Sequence, residues 1–178
     1  YGRFDSLWPN DWRIHHVTFH IEPFQADQVD EILAISQRAW TPVFALLQEH
    51  VQRYVYDAFY PKGWWQRQQA DIQDMIAEGK TSVWIARSEE KTVGYIGIRI
   101  HPEDMMGEIY IIAVDPDHQG RGAASMLMRF AFDEIKRAGM KMVMVETGGD
   151  PGHAPARRAY EAIGFERWPV ARYFKQLT

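Results

Sequence analysis

The feature that most constrains this chain is a loop of small and polar residues, 115–125, which lies between two apolar segments. The loop reads Asp-Pro-Asp-His-Gln-Gly-Arg-Gly-Ala-Ala-Ser. Residues 108–114 before it are apolar on both faces, which is typical of a central buried strand. Apolar residues after it recur at helical spacing until Ala138 and Gly139, which can end a helix. The sequence therefore predicts a strand, a loop and a helix in succession.

This loop has the composition of an anion-binding site. Gly120 and Gly122, followed by Ala123 and Ala124, let successive backbone N–H groups approach a ligand closely. The helix that follows adds the positive end of its dipole. We expect a phosphate-bearing cofactor to bind there.

Two common phosphate-binding motifs fit the loop unequally. A P-loop requires a Lys after its second glycine, and no Lys follows Gly122. The dinucleotide motif Gly-x-Gly-x-x-Gly/Ala matches residues 120–125 loosely, with Ser125 in the third position and Glu146 at the spacing of a ribose-binding acid. That motif needs a tight turn from strand to helix, whereas residues 115–119, which include a proline, intervene here. A nicotinamide-dependent oxidoreductase is therefore the weaker alternative.

A third phosphate-binding motif matches the loop better, and a separate motif later in the chain supports it. Residues 119–124, Gln-Gly-Arg-Gly-Ala-Ala, match Gln/Arg-x-x-Gly-x-Gly/Ala, the acetyl-coenzyme A motif of the GNAT superfamily of N-acetyltransferases. Residues 156–165, Ala-Arg-Arg-Ala-Tyr-Glu-Ala-Ile-Gly-Phe, resemble the Ala-x-x-x-Tyr-Glu-x-x-Gly-Phe segment of the same family. Because the two motifs occur in the family's order, the chain strongly resembles a GNAT superfamily N-acetyltransferase.

Composition narrows the class of protein independently. A chain of 178 residues, 46% hydrophobic and 25% charged, fits a single globular domain, and we expect residues 1–178 to form one N-acetyltransferase domain. The absence of cysteine excludes disulfides and thiolate metal sites and suits a cytoplasmic location. A net charge of −4 argues against a nucleic-acid partner. We find no membrane-span pattern or signal peptide, and a start at Tyr1 indicates a processed or truncated end.

The remaining patterns predict an α/β protein with a mixed, mostly antiparallel central sheet flanked by helices. This arrangement is similar to the GNAT fold over nearly the whole chain, with one additional N-terminal helical segment near 60–78 that could form part of an acceptor lid. The predicted strands lie at residues 15–22, 82–87, 93–100, 108–114 and 141–147, with a short pair near 165 and at 170–177. The predicted helices lie at residues 26–38, 41–59, 64–78 and 122–138, with a last helix in the second motif.

Acetyl transfer to an amine requires a group that removes a proton. An alkylamine has a pKa of about 10.4, so only roughly one molecule in a thousand is neutral at neutral pH, and a carboxylate can relay the proton away. Some members of the family place a Glu at the start of the strand before the cofactor loop, which makes Glu108 the candidate base. His101 and Glu103 are substitutes for that role, and Asp104 is a weaker one. The alternative is that Glu108 is only a solvated carboxylate.

The departing thiolate also needs a proton. A phenol with a pKa of about 10 is protonated at neutral pH and can donate to a thiolate. In the family, the tyrosine of the second motif is the usual general acid, and this residue is Tyr160 here. The alternative is a tyrosine ring that packs in the core.

The resemblance also implies how acetyl-coenzyme A is held. Backbone groups near Ile112, Ala113 and Val114 would pair with the pantetheine arm, as an added strand would. The family commonly has Asn seven positions before the tyrosine; this chain has His153, so the pantetheine contact there is open. Ala156, which begins the second motif, is a further cofactor residue. The pyrophosphate would be held by Gln119, Gly120, Arg121, Gly122, Ala123, Ala124 and Ser125, although Arg121 could equally face solvent.

An aromatic cluster in the N-terminal helices is the candidate acceptor site. Such a cluster can stack on a cationic amine, although aromatic residues at helical spacing usually pack in the core. Trp40, Phe44 and Trp64 are the candidates for substrate contact. His15, His16 and His20 have no further ligands at suitable spacing, so we expect no metal site.

These observations predict a cytoplasmic N-acetyltransferase that transfers an acetyl group from acetyl-coenzyme A to a primary amine by direct attack in a ternary complex. Because the chain lacks cysteine, the commonest covalent acetyl-enzyme route is closed. The acceptor is a small molecule or a protein, with neither nucleic acid nor membrane as partner, and a homodimer is compatible with the chain. A non-catalytic acyl-CoA-binding sensor is the main alternative.

Overall fold

The computed structural model describes residues 19–89 and 91–177. The beginning of the predicted first strand, including His15 and His16, lies outside these residues. Five strands are present in the described part: β1 (Phe19–Pro23), β2 (Ser82–Ser88), β3 (Lys91–His101), β4 (Met106–Val114) and β5 (Met142–Val145). The α-helices are α1 (Val29–His50), α2 (Arg53–Phe59), α3 (Trp64–Glu78), α4 (Ala123–Arg137) and α5 (Ala154–Ala162).

The strands form one sheet in the order β1-β2-β3-β4-β5. The pairs β1–β2, β2–β3 and β3–β4 are antiparallel, and β5 is parallel to β4. A parallel pair needs a crossover connection, which α4 supplies between β4 and β5. The predicted mixed, mostly antiparallel sheet flanked by helices is therefore confirmed.

The sheet separates two hydrophobic cores. On one face α4 packs against β3 and β4, and Gly107 lies so close to α4 that an added Cβ would collide with Ile135. On the other face α1 and α3 pack around Tyr95, which is fully buried. The hydroxyl of Tyr95 lies 2.7 Å from Oγ of Ser36, so a polar contact joins the sheet to α1 inside this second core.

The helix break predicted at Thr41 and Pro42 is wrong. Helix α1 runs through Pro42 and ends at His50, and the chain becomes extended at Val51. A proline inside a helix removes one backbone hydrogen bond, which normally favours a break. Here the next helical turn buries Phe44 against Trp64, and this tertiary contact offsets the lost bond. The boundaries of α3 at Gly63 and Gly79 agree with the sequence pattern.

The strand pair predicted near residue 165 and at 170–177 is also wrong. Residues 165–177 form no strand among the described residues, and the sheet there ends at β5. Trp168, Val170, Tyr173 and Leu177 are more than 80% exposed. A strand is stable only when its backbone pairs with a sheet edge and one of its faces is buried, and this segment has neither.

Candidate active site

Strands β4 and β5 separate halfway along β4. They pair only from Met106 opposite Met142 to Ile109 opposite Val145. Tyr110 has no register partner on β3, so β4 has a bulge there, and a bulge bends its strand. From residue 110 onward, β4 has no neighbour on its β5 side within the described structure. Every second residue of this segment directs its backbone N–H and C=O away from β3, which leaves an open edge for an extended ligand.

Ile112, Ala113 and Val114 lie on this open segment. The side chains of Ala113 and Val114 are buried, and Ile112 packs against the core beneath α4. Ala113 and Val114 can therefore meet a ligand only through their backbone groups. The carbonyl of Val114 accepts a hydrogen bond of 3.0 Å from Nε2 of Gln119, so the loop that follows is tied back to the end of the strand.

The loop between β4 and α4 presents unpaired backbone donors. Gly120 and Gly122 have φ values of 71° and 91°, which favour glycine, and Gly122 is the residue that caps α4. Within the described structure, the N–H groups of residues 120–125 have no backbone acceptor, because the first amide of α4 that reaches one belongs to Met126. This set includes the amides of Ala123, Ala124 and Ser125. The free amides and the helix dipole together form a site for an anion. Arg121 is exposed beside it.

Glu108 belongs to a polar cluster on the sheet face opposite α4. Its neighbour Ile109 packs under α4, so the alternation of β4 directs Glu108 to the other face. Its side chain is 18% exposed, and its Oε2 lies 2.8 Å from Nε2 of His101. Arg99, opposite Glu108 in register, instead lies over the Tyr110 ring at 3.4 Å and donates to Thr81. His101 is therefore the hydrogen-bond partner of Glu108.

The other substitutes for the catalytic base lie at the edge of this cluster. Oε1 of Glu103 is 3.8 Å from Nδ1 of His101, and its side chain is 70% exposed. Asp104 is exposed on the short 3-10 turn Pro102–Asp104. Glu108 is more enclosed than both, because β3 and β4 flank it.

Tyr160 combines a packed ring with an unengaged hydroxyl. Its ring meets Phe165 edge-on, with 5.9 Å between centroids, and packs against the core beneath α4. The hydroxyl has no hydrogen-bond partner among the described residues, but its oxygen is not fully buried. Burial of the side chain raises the pKa of Tyr160 to about 12. Tyr160 is therefore a protonated donor at neutral pH.

The residues before α5 hold His153 in place. Nδ1 of His153 lies 2.6 Å from Oδ2 of Asp150, whose Oδ1 accepts from the amide of Gly152. Burial alone would raise the pKa of Asp150, but the hydrogen bond and charge of His153 outweigh it and hold this pKa below its usual value. Arg157 donates to the carbonyls of Gly148 and Asp150. Within the described structure, Nε2 of His153 stays without a partner. Ala156 lies in the first turn of α5.

The aromatic cluster forms one connected group between α1, α2 and α3. Phe44 stacks on Trp64 with 4.5 Å between centroids and meets Tyr60 edge-on. Phe44 is only 5% exposed, so it supports Trp64 and offers little surface to an acceptor. Trp64 is partly buried, and Trp40 packs against the core on the α1 and α3 face. This is also the face that carries Glu108.

Several polar residues near the site were not predicted from the sequence. Nothing in the pattern pointed to Arg38, Asp150 or Arg157, although Asp150 lies only three residues before His153. Among residues 19–89 and 91–177, no group of three or more His, Cys, Asp or Glu side chains is arranged to hold a metal ion. No α-helix in the described part of the chain has the length and apolar character needed to span a membrane.

Comparison with known sequences agrees with these features. The model of the acetyltransferase (GNAT) family matches residues 29–165. A mycothiol acetyltransferase of Thermomonospora curvata is 32% identical over 88 residues, which are 49% of this chain and 29% of the relative. One from Rhodococcus opacus is 29% identical over 119 residues, 59% of this chain and 38% of the relative. The chain thus spans about a third of the length of these curated relatives.

Solved structures support the fold. The aminoglycoside N-acetyltransferase AAC(6')-Iy in complex with CoA superimposes with a TM-score of 0.61 at 13% identity, covering 89% of this chain and 95% of that one. The PaiA N-acetyltransferase of Thermoplasma acidophilum with coenzyme A gives 0.64 at 12% identity, covering 86% and 93%.

Proposed function

Because the chain belongs to the acetyltransferase (GNAT) family, we propose that it transfers an acetyl group from acetyl-coenzyme A to a primary amine by direct attack in a ternary complex. The observation that carries this proposal is the open edge of β4 that leads directly into a loop of unpaired amides. The open strand edge can bind an extended arm that carries amide groups, and the loop of unpaired amides can bind a pyrophosphate.

The cofactor follows this path through backbone contacts. The pantetheine arm pairs with residues 112–114, and the pyrophosphate accepts hydrogen bonds from residues 119–125. His153 has Asp150 on its Nδ1, so Nε2 is free to contact the pantetheine in place of the Asn that is common in the family. Ala156, in the first turn of α5, borders the same path. A backbone N–H of residues 112–114 helps to hold the thioester oxygen as it becomes negative.

The chemical step needs one base and one acid. The ammonium of the acceptor loses a proton to Glu108, and His101 orients the Glu108 side chain through their 2.8 Å hydrogen bond. The neutral amine attacks the thioester carbon, and its nitrogen becomes positively charged. The C–S bond breaks, the departing thiolate takes the proton of Tyr160, and the nitrogen releases its second proton to solvent to give the neutral amide. Solvent reprotonates Tyr160 and removes the proton from Glu108, so the enzyme returns to its starting state.

The acceptor approaches from the face that carries Glu108 and the aromatic cluster. Trp64, supported by Phe44, offers an aromatic surface to a cation, and Trp40 lies on the same face. The relatives do not agree on one acceptor: a solved neighbour is a ribosomal-protein-S18-alanine N-acetyltransferase, others are aminoglycoside acetyltransferases, and the curated relatives are mycothiol acetyltransferases. We therefore propose a primary amine of a small molecule or a protein.

The test is release of free thiol from acetyl-coenzyme A across a panel of amines. We expect amine-dependent release by the wild-type protein and slower release by the Glu108→Gln and Tyr160→Phe variants. Tight coenzyme A binding without release for any amine would instead favour a non-catalytic acyl-CoA-binding sensor. Binding of NAD with no binding of coenzyme A would favour the oxidoreductase alternative.

A further inference from the structure

Arg38 forms a bridge between α1 and residues 115–117, which precede the unpaired backbone amides of residues 120–125. Its Nη1 lies 2.5 Å from Oδ2 of Asp115, and its Nη2 lies 2.8 Å from Oδ2 of Asp117. One guanidinium thus binds two carboxylates, each through a different nitrogen, across 77 and 79 positions of sequence. Charge-assisted hydrogen bonds from a rigid guanidinium fix the geometry of their partners more closely than a point charge does.

Asp115 is the residue through which this bridge reaches the loop. It is 7% exposed and follows β4 directly. Its amide donates to the carbonyl of Val93 on β3, and its Oδ1 accepts from the amide of Asp117. Nδ1 of His118 lies 3.5 Å from the same Oδ1. Asp115 therefore connects the sheet to the loop, and Arg38 connects both to α1.

The charges at this point would otherwise oppose the ligand. Asp115 and Asp117 stand immediately before the amides of residues 120–125, and two uncompensated carboxylates there would repel a pyrophosphate. The hydrogen bond and charge of Arg38 hold the pKa of Asp117 below its usual value, so this carboxylate stays ionised and paired. Arg38 thus makes a negatively charged loop compatible with an anionic ligand.

On the basis of the proposed function, we propose that Arg38 is a positioning residue for the cofactor: it holds the loop 115–119 in place for pyrophosphate binding and offsets the charge of its two carboxylates. Arg38 lies on α1, the helix that also carries Trp40 and Phe44 of the acceptor side. The bridge therefore sets the cofactor loop relative to the helix that borders the acceptor.

The test compares the kinetics of Arg38→Ala, Arg38→Lys and the wild-type protein. We expect Arg38→Ala to raise both the KM for acetyl-coenzyme A and the inhibition constant of inorganic pyrophosphate by about tenfold, with kcat within about twofold. Arg38→Lys keeps the charge but loses the two-nitrogen geometry, so it should recover only part of the affinity. The matched control is Arg53→Ala, which removes an exposed pair with Asp57 on α2 and should change neither constant.

A double variant separates charge from packing. Arg38→Ala combined with Asp117→Asn neutralises one of the two carboxylates that lose Arg38, so the inhibition constant of pyrophosphate should fall part of the way back toward the wild-type value. If Arg38→Ala lowers kcat and the melting temperature but leaves both constants unchanged, Arg38 serves packing and the inference is overturned. If the wild-type protein fails to bind coenzyme A, the proposed function is overturned and this inference falls with it. If the wild-type protein and Arg38→Ala bind coenzyme A with equal affinity, the inference about Arg38 is overturned and the proposed function is unaffected.

Discussion

Nε2 of His101 lies 2.8 Å from Oε2 of Glu108, across the antiparallel pair formed by β3 and β4. Both side chains are mostly shielded from solvent, at 30% and 18% exposed. A hydrogen bond between an imidazole and a carboxylate in such a place orients the carboxylate. Glu108 is therefore oriented by a neighbour and is more than a solvated side chain at the entrance of a strand.

We expect Glu108→Gln to lower kcat/KM for the amine by about 100-fold, because a positioned general base contributes about that much. The KM for acetyl-coenzyme A should stay within about twofold. Steady-state thiol release with both substrates varied measures the two effects. The control is Glu103→Gln, which changes the exposed carboxylate on the other nitrogen of His101 and should have little effect. Full activity of Glu108→Gln would exclude it as the base.

Tyr160→Phe should lower turnover at least about tenfold with little change in coenzyme A affinity, because it removes only the donor to the thiolate. Tyr173→Phe, in the exposed C-terminal segment, is the matched control. An unchanged rate in Tyr160→Phe would remove this residue from the acid role.

The pH dependence gives a separate test of Tyr160. An acid acts only while it is protonated, and burial raises the pKa of Tyr160 from 10.0 to about 12. Loss of its proton should therefore cause no fall in kcat/KM below about pH 10. A pH–rate profile of the wild-type protein checks this expectation. A falling limb well below pH 10 that disappears in Tyr160→Phe would contradict it.

Comparing Gly122→Ala with Gly139→Ala separates the effect of backbone strain on stability from an effect on cofactor binding. Both glycines have positive φ, 91° and 84°, and an added Cβ at either position meets no atom within 4 Å. Each substitution should destabilise the fold by about 1 kcal/mol, because a left-handed conformation strains alanine. Only Gly122→Ala should also raise the KM for acetyl-coenzyme A, since Gly139 lies beyond the far end of α4. Denaturant titration and kinetics on both variants measure the difference, and equal KM values would exclude a binding role for the conformation of Gly122.

Tyr95→Phe should cost about 1 kcal/mol of unfolding free energy at neutral pH, because it removes the hydrogen bond to Ser36 in a fully buried place. Burial also raises the pKa of Tyr95, so the folded state disfavours the phenolate. The contribution of protonated Tyr95 to the free energy of unfolding is fully present below about pH 10, the pKa of a tyrosine in the unfolded chain. This contribution is lost as pH rises above that value. Urea denaturation at neutral and alkaline pH should show a weaker alkaline loss in Tyr95→Phe. An identical pH dependence in both proteins would exclude this role for Tyr95.

Local features of the fold could be predicted from sequence because their causes lie within a few residues. The loop from Asp115 to Ser125, the helix after it and the limits of α3 depend on glycine conformations and on apolar spacing. The helix break at Pro42 and the strands after residue 165 were mispredicted. In the first case Phe44 and Trp64 pack across two helices. In the second, residues 165–177 form no strand pairing with the described sheet, and most of them are exposed.

The sequence by itself indicated the family and Tyr160 through two short motifs. The apolar pattern around the loop gave the order of strand, loop and helix, and with it the place of Glu108 at the start of the strand. Only the tertiary structure paired His101 with Glu108, opened the β4 edge beyond Ile109, and brought Arg38 to Asp115 and Asp117. The physical reason is the separation of the interacting residues along the chain. Backbone propensities act between neighbours in sequence, whereas charges and buried surfaces that are far apart in sequence meet only after the chain has folded.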